Sequence, residues 1–490
     1  MLLGLSQSAA AEVRLARLFS DHAVLQRNQP VRIFGFAKPG EKVTVHFHDQ
    51  TADATTDKYG WWETMLAPEK AGGPYTLTVS GDATAKPVER TDILVGDVWF
   101  ASGQSNMEMP LGGFMNRKPQ LPIKDSEKEI AAATHPEIRL FLQKRSTSSY
   151  PEYDANGEWT LCTPETAKDF SAAAYFFGRD IQQHEHVPIG LIDSTWGGMP
   201  TQAFSNPAAL AKAGLTDVLL DQSRLAEAQA KAAMLREQRR YEATAAGKET
   251  KPERPVADTW IVGSLYNGMV APFTHYTIKG ALWYQGEADR TEPRTSNYRR
   301  AFPAMIQDWR AEWNEGDFPF LFVQLPSFDF DNDKWPTVRD AQRRALALPN
   351  TAMAVTLDTG EAKNIHPPDK LTVGTRLALA AREIAYGEKI ESASPTFVNA
   401  TADGNAMRVH LSHADALMQK GDATASGFEI AGADKVFHPA AVTVQKDGTV
   451  LVSSPEVTAP MYVRYGWRGW VTTFYYNKTG LPLGTFTSEP

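Results

Sequence analysis

Strand–helix alternation through the middle of the chain predicts an α/β fold: a three-layer domain on a parallel sheet, with β-rich units before and after it. Three observations predict it. Short alternating runs broken by turns fill the first ninety residues. From Asp92 to Tyr386 apolar runs alternate with longer stretches of helical spacing, as βαβ units require. After about Ser392 the period-two alternation returns.

Taken in order, Val31 to Ala37 reads as a strand closed by the turn Lys38-Pro39-Gly40, and Lys42 to His48 alternates as a half-buried strand does. Trp61 to Leu66 and Tyr75 to Val79 continue the series, so residues 12–91 are expected to form a β-sandwich-like domain. Asp92 to Ala101 is a largely apolar run suited to a buried parallel strand. Downstream come a helix over Phe170–Gln183, strands over Ile189–Asp193 and Ile278–Tyr284, and a helix over Tyr298–Trp313. Strands over Phe320–Leu325 and Ala352–Leu357 and a closing helix over Lys370–Tyr386 complete a domain expected at 92–390. Two stretches interrupt it. Residues 112–160 are irregular and rich in Pro, Lys and Ser, like loops on a substrate side. Residues 207–250 read as inserted helices, with Lys248–Pro255 a polar linker that closes the insertion near 255. Residues 391–490, with runs such as Ala406–Leu411 and Met461–Tyr465, form a C-terminal β-rich unit.

A chain of 490 residues is too long for one hydrophobic core. Its 42% hydrophobic and 22% charged residues are those of an ordinary globular protein. The net charge of −8 argues against a nucleic-acid partner, which would demand a basic face. No run approaches the 18 or so apolar residues of a membrane span. Cys162 is the only cysteine, so neither an internal disulfide nor a cysteine metal cluster can form, and it reads as a partly buried small apolar residue. Met1 to Ala11 resembles the end of a secretory leader with an Ala-x-Ala cleavage site, so the protein is expected to be exported, periplasmic or secreted.

Chemistry-bearing residues cluster where the predicted strands end. Ser102-Gly103-Gln104-Ser105-Asn106-Met107 follows the first buried strand, which places Ser105 on the ligand-binding edge of a parallel sheet. The residues suit either a nucleophile or a turn-forming serine, since the pattern is not the Gly-x-Ser-x-Gly elbow. Asn364-Ile365-His366-Pro367-Pro368 precedes the closing helix, and its histidine can serve a serine as general base. Trp283-Tyr284-Gln285-Gly286-Glu287 brings an amide and an acid to the same edge. Ser194-Thr195-Trp196-Gly197-Gly198 brings two glycines whose backbone can approach a ligand closely. Each is weak alone. Together they supply nucleophile, base, acid and oxyanion donors.

These four segments, with Leu18 to Gln26 ahead of them, resemble the SGNH hydrolase superfamily, and more closely its sialate O-acetylesterase-like branch. The order and spacing match over about residues 13–385. The resemblance implies an SGNH-type α/β hydrolase domain and a serine esterase that removes acetyl groups from a carbohydrate, without metal or organic cofactor. It implies Ser105 as nucleophile, His366 as general base, and an oxyanion hole from the Ser105 and Gly198 N–H groups and the Gln285 side chain. The superfamily often has Asp two residues before the histidine. Here that residue is Asn364, which carries no charge to stabilise an imidazolium. Glu287 is the first choice for the third member, ahead of Asp358, Glu361 and a dyad held by Asn364 or a backbone carbonyl. Trp335 and Arg339 are expected to contact substrate, whereas Trp196, Trp283 and Tyr284 are read as core. The expected partner is an acetylated carbohydrate: a sialic acid, or a xylan, xyloglucan or pectin. The competing readings are an SGNH lipase or thioesterase, and a catalytically dead carbohydrate-binding protein.

Overall fold

The computed structural model describes residues 12–84, 86–245, 261–330, 334–422 and 424–490. The leader-like residues 1–11 and the linker 248–255 lie outside them. The N-terminal part consists of strands β1 (Arg14–Leu15), β2 (Val24–Gln26), β3 (Val31–Phe36), β4 (Lys42–Phe47), β5 (Gln50–Thr55), β6 (Trp61–Leu66), β7 (Gly72–Gly81) and β8 (Val88–Gly103). β1, β3 and β6 form one sheet, while β2, β4, β5 and β7 belong to a second sheet through β8. β8 is sixteen residues long and runs straight across the change of character at Asp92. Its first half pairs with β7 and β2, and its second half is the central strand of the sheet that follows.

That sheet continues through helix α1 (Ser105–Glu108), α2 (Ser126–Ala131), β9 (His135–Leu142), β10 (Trp159–Cys162), α3 (Pro164–Ala167), α4 (Ala172–Glu185) and β11 (Ile189–Thr195). The insertion supplies α5 (Pro207–Lys212) and α6 (Thr216–Ala245). Then come β12 (Gly280–Tyr284), α7 (Arg294–Trp313), β13 (Phe320–Gln324), α8 (Lys334–Arg344), β14 (Thr351–Val355) and α9 (Lys370–Ile384). The strand order is β10-β9-β11-β8-β12-β13-β14, parallel except at the β10 edge. β11, β12 and β13 are buried at every position, which is why each opens on an apolar run and turns polar, where it does, only toward its carboxyl end. Consecutive residues of β8 face opposite ways. Trp99 meets Phe177 of α4 and Tyr386 beyond α9, and Phe100 meets Phe273 and then Trp309 and Trp313 of α7. From β8 the chain runs to β9 and back through β11 on one side before it crosses to β12 on the other, so the carboxyl end of β8 lies where the strand order reverses.

The irregular stretch expected over 112–160 contains α2, β9 and most of the way to β10. β9 escapes the pattern because Arg139 interrupts its apolar run. That guanidinium is buried yet neutralised by Asp92 at 3.0 Å. The C-terminal hundred residues form two four-stranded sheets and a two-stranded one. They hold to the α/β part through buried polar contacts, among them Thr485 N–H to Gln324 Oε1 at 3.0 Å. No helix among the described residues is long and apolar enough to cross a membrane.

Candidate active site

The end of β8 forms a tight turn because Gly103 has φ +133°, and a Cβ there would stand 2.3 Å from the carbonyl oxygen of Tyr284. The turn is tied to both neighbouring strands. Gln104 N–H donates to Tyr284 O at 3.0 Å, and Trp196 N–H donates to Gly103 O at 3.1 Å. Ser105 therefore emerges at the reversal point, 6% exposed, at the first position of α1. The loop between β14 and α9 brings His366 to it, and His366 Nε2 lies 2.8 Å from Ser105 Oγ. Burial, together with the charges of Arg117 and Lys370, holds the imidazole down at about 4. The ring is neutral at neutral pH and able to accept a proton. Ser105, His366, Gly198 and Arg117 line one pocket of about 480 Å³ with Arg290 and Arg294.

The third position differs from the sequence expectation. Glu287 is 1% exposed, and its Oε1 accepts from Asn106 Nδ2 at 2.5 Å rather than from the histidine ring. The same Asn106 nitrogen donates to Ile365 O at 2.9 Å, next to His366, and Asn106 Oδ1 accepts from Lys370 Nζ at 2.5 Å. Burial raises Glu287 to about 6, and the Asn106 hydrogen bond and the Lys370 charge oppose it. Burial lowers Lys370 to about 7 against the pull of Glu287 and Asp369. Asp358 is taken by Arg376, at 2.6 and 2.7 Å. Glu361 accepts from Asn364 at 3.0 Å, and Asn364 in turn accepts from the backbone N–H of His366. Asn364 thus holds the loop and not the ring. Among the described residues no carboxylate bonds to His366.

The expected oxyanion donors also divide. Gly198 has φ +78°, open space where a Cβ would be, and a place in the Ser105 pocket. Among the described residues neither its N–H nor that of Ser105 is spent on a protein acceptor. Gln285 is fully buried, and its Nε2 already donates to Gln104 Oε1, Met199 O and Asp289 Oδ2. Two hydrogens shared among three acceptors leave none for a substrate, so the geometry does not support Gln285 as a donor. It braces the β8, β11 and β12 turns against one another. Trp335 and Arg339 are corrected likewise. Both are completely buried on α8, Trp335 donating to Pro326 O at 2.8 Å and Arg339 to Gly469 O and Thr485 Oγ1 of the C-terminal part. Burial pulls the Arg339 guanidinium down to about 9. Residues that fold α8 onto its neighbours carry the same polar-aromatic signature as a sugar contact.

Asn106, Lys370 and Arg117 join the site without a motif of their own to mark them in the sequence. Asn106 was visible as the residue after the serine, and Lys370 as a cation opening a helix that had to be buried. Cys162 is buried, which pushes its thiol up to about 12 and makes it a poor nucleophile. Among the described residues the one His/Asp/Glu group with ligand atoms within 4.8 Å is His48, Asp49 and Glu69, in the N-terminal part. None of the three lines the Ser105 pocket.

A serine–imidazole pair at the switch point of a parallel sheet, with backbone donors beside it, defines the class: a serine hydrolase built on an α/β domain. Comparison with known proteins narrows it. Residues 254–383 match the family model described as carbohydrate esterase, sialic acid-specific acetylesterase. The rat sialate O-acetylesterase is 28% identical over 99% of this chain and 96% of its own. The Pongo abelii sialate O-acetylesterase is 30% identical over 79% of this chain and 74% of its own. A carbohydrate acetylesterase of Xanthomonas citri superposes with a TM-score of 0.82 at 35% identity, covering 97% of this chain and 99% of that one. The chain belongs to the sialate O-acetylesterase family of carbohydrate esterases.

Proposed function

We propose that this enzyme removes O-acetyl groups from a carbohydrate through an acetyl-enzyme on Ser105. The observation that carries the reading is the 2.8 Å contact between Ser105 Oγ and His366 Nε2. His366, neutral at working pH, takes the serine proton as Oγ attacks the acetyl carbonyl. The N–H groups of Ser105 and Gly198 stabilise the oxyanion, at about 3 kcal/mol for each such donor. The sugar oxygen then leaves with the proton from His366, and water, deprotonated by the same imidazole, releases acetate and frees Ser105.

Glu287 acts in this reading through Asn106, which joins the segment bearing the nucleophile to the loop bearing the base. The catalytic unit is a three-layer α/β domain over residues 92–390, between β-rich units at 12–91 and 391–490, and the protein is exported. The substrate is an O-acetylated sugar, bound beneath Arg117, Arg290 and Arg294. Acetate release from O-acetylated sialic acid and from acetylated xylan and pectin, by wild type and by Ser105→Ala, tests the proposal. Release by wild type from at least one of them, lost in the variant, is the expected result. Equal release by both would sink it.

A further inference from the structure

We propose that a groove beside the catalytic pocket holds the sugars next to the acetylated one, so that the substrate is an oligosaccharide chain. This rests on the esterase reading above. The groove has a volume of about 1280 Å³, against about 480 Å³ for the pocket around Ser105. A site for a single small molecule takes roughly 300–1,000 Å³, so the two together far exceed the needs of one sugar.

The groove is continuous with the chemistry. Arg117 lines both spaces. Phe114, in the groove wall, presents its ring edge-on to His366 with centroids 5.5 Å apart. Glu108 closes the junction. A Cβ on Gly197 would lie 2.7 Å from Glu108 Oε2 and 3.1 Å from the Cβ of Ser105, so the groove opens one residue's breadth from the nucleophile.

Its lining suits a polyhydroxyl ligand. Arg117, Lys144, Lys168, Glu158 and Asp169 all line the groove, and none of the five has an oppositely charged partner within ion-pair distance among the described residues. Sugar hydroxyls both donate and accept, so unpaired groups of both signs can be used by one chain. Leu142, 44% exposed, offers an apolar surface to the C–H faces of the rings.

Binding energy from sugars remote from the ester raises the specificity constant. The probes are chemically O-acetylated xylo-, cello- and galacturono-oligosaccharides, each from monomer to tetramer, with kcat/KM read per acetyl group and p-nitrophenyl acetate as control. Wild type is expected to gain roughly tenfold or more from monomer to tetramer in at least one series. The double variant Lys144→Ala/Lys168→Ala should lose most of that gain while its turnover of p-nitrophenyl acetate stays unchanged. A flat profile in all three series, with monomers and control still hydrolysed, overturns the groove and leaves the esterase standing. So does a gain that persists undiminished in the double variant. Failure to hydrolyse any probe, control included, overturns both.

Discussion

Asn106 Nδ2 bonds at once to Glu287 Oε1 and to the carbonyl oxygen of Ile365, so the residue after Ser105 grips the loop that carries His366. The acid meets this asparagine and not the imidazole. That arrangement separates two tasks a triad acid normally combines, orienting the histidine and stabilising its charge.

Glu287→Gln is therefore expected to lower kcat by about 10- to 100-fold with little change in KM, since a positioning contact is weakened and no substrate contact is lost. Asn106→Asp should be worse, because it sets a second carboxylate 2.5 Å from the first. Steady-state kinetics on an acetyl ester would decide. A larger loss in Glu287→Gln than in Asn106→Asp would contradict the latch.

Ser105→Ala and His366→Ala should each reduce kcat by about 10³-fold or more, and the double variant should lose little beyond either single one, as members of one catalytic unit do. Circular dichroism should show both variants folded. Additive losses would mean that the two side chains do not act together.

The pH profile follows from the buried imidazole. Only the neutral ring can accept the serine proton, and burial with two nearby cations lowers it to about 4. Activity should hold from neutral pH into the acid range and fall as pH drops through about 4. Arg117→Gln removes one of the cations, so its acid limb should move to higher pH. An acid limb near the ordinary histidine value of about 6.5 in the wild type would show that the ring is less desolvated than its position implies.

Arg339→Met should cost about 2–4 kcal/mol of stability, because Gly466 O, Gly469 O and Thr485 Oγ1 lose a buried donor. KM for a soluble acetyl ester should not change. Gln285→Ala should also act on stability, leaving Asp289 and Thr201 short of a partner inside the fold. Chemical denaturation beside kinetics separates the cases. A raised KM with unaltered stability in Arg339→Met would restore it as a substrate contact.

The strands and helices of the α/β part were legible because parallel strands buried on both faces must be apolar throughout, and that leaves a plain trace at Asp92–Ala101, Ile189–Asp193 and Phe320–Leu325. The strand β9 was not, since Arg139 breaks its run and the compensating charge, Asp92, lies 47 residues away. Ser105 and His366 were also within reach of the sequence. A residue at the end of a buried parallel strand can only sit on the ligand edge, and the loop before the last helix returns to that edge.

What the sequence determined by itself is this edge and the residue types that share it. The tertiary structure alone decided how they pair, because hydrogen bonds between side chains far apart in the chain depend on ångström-scale placement that residue spacing does not encode. It turned Glu287 toward Asn106, spent both Gln285 hydrogens inside the fold, buried Trp335 and Arg339, and brought Lys370 to Asn106 beside Ser105.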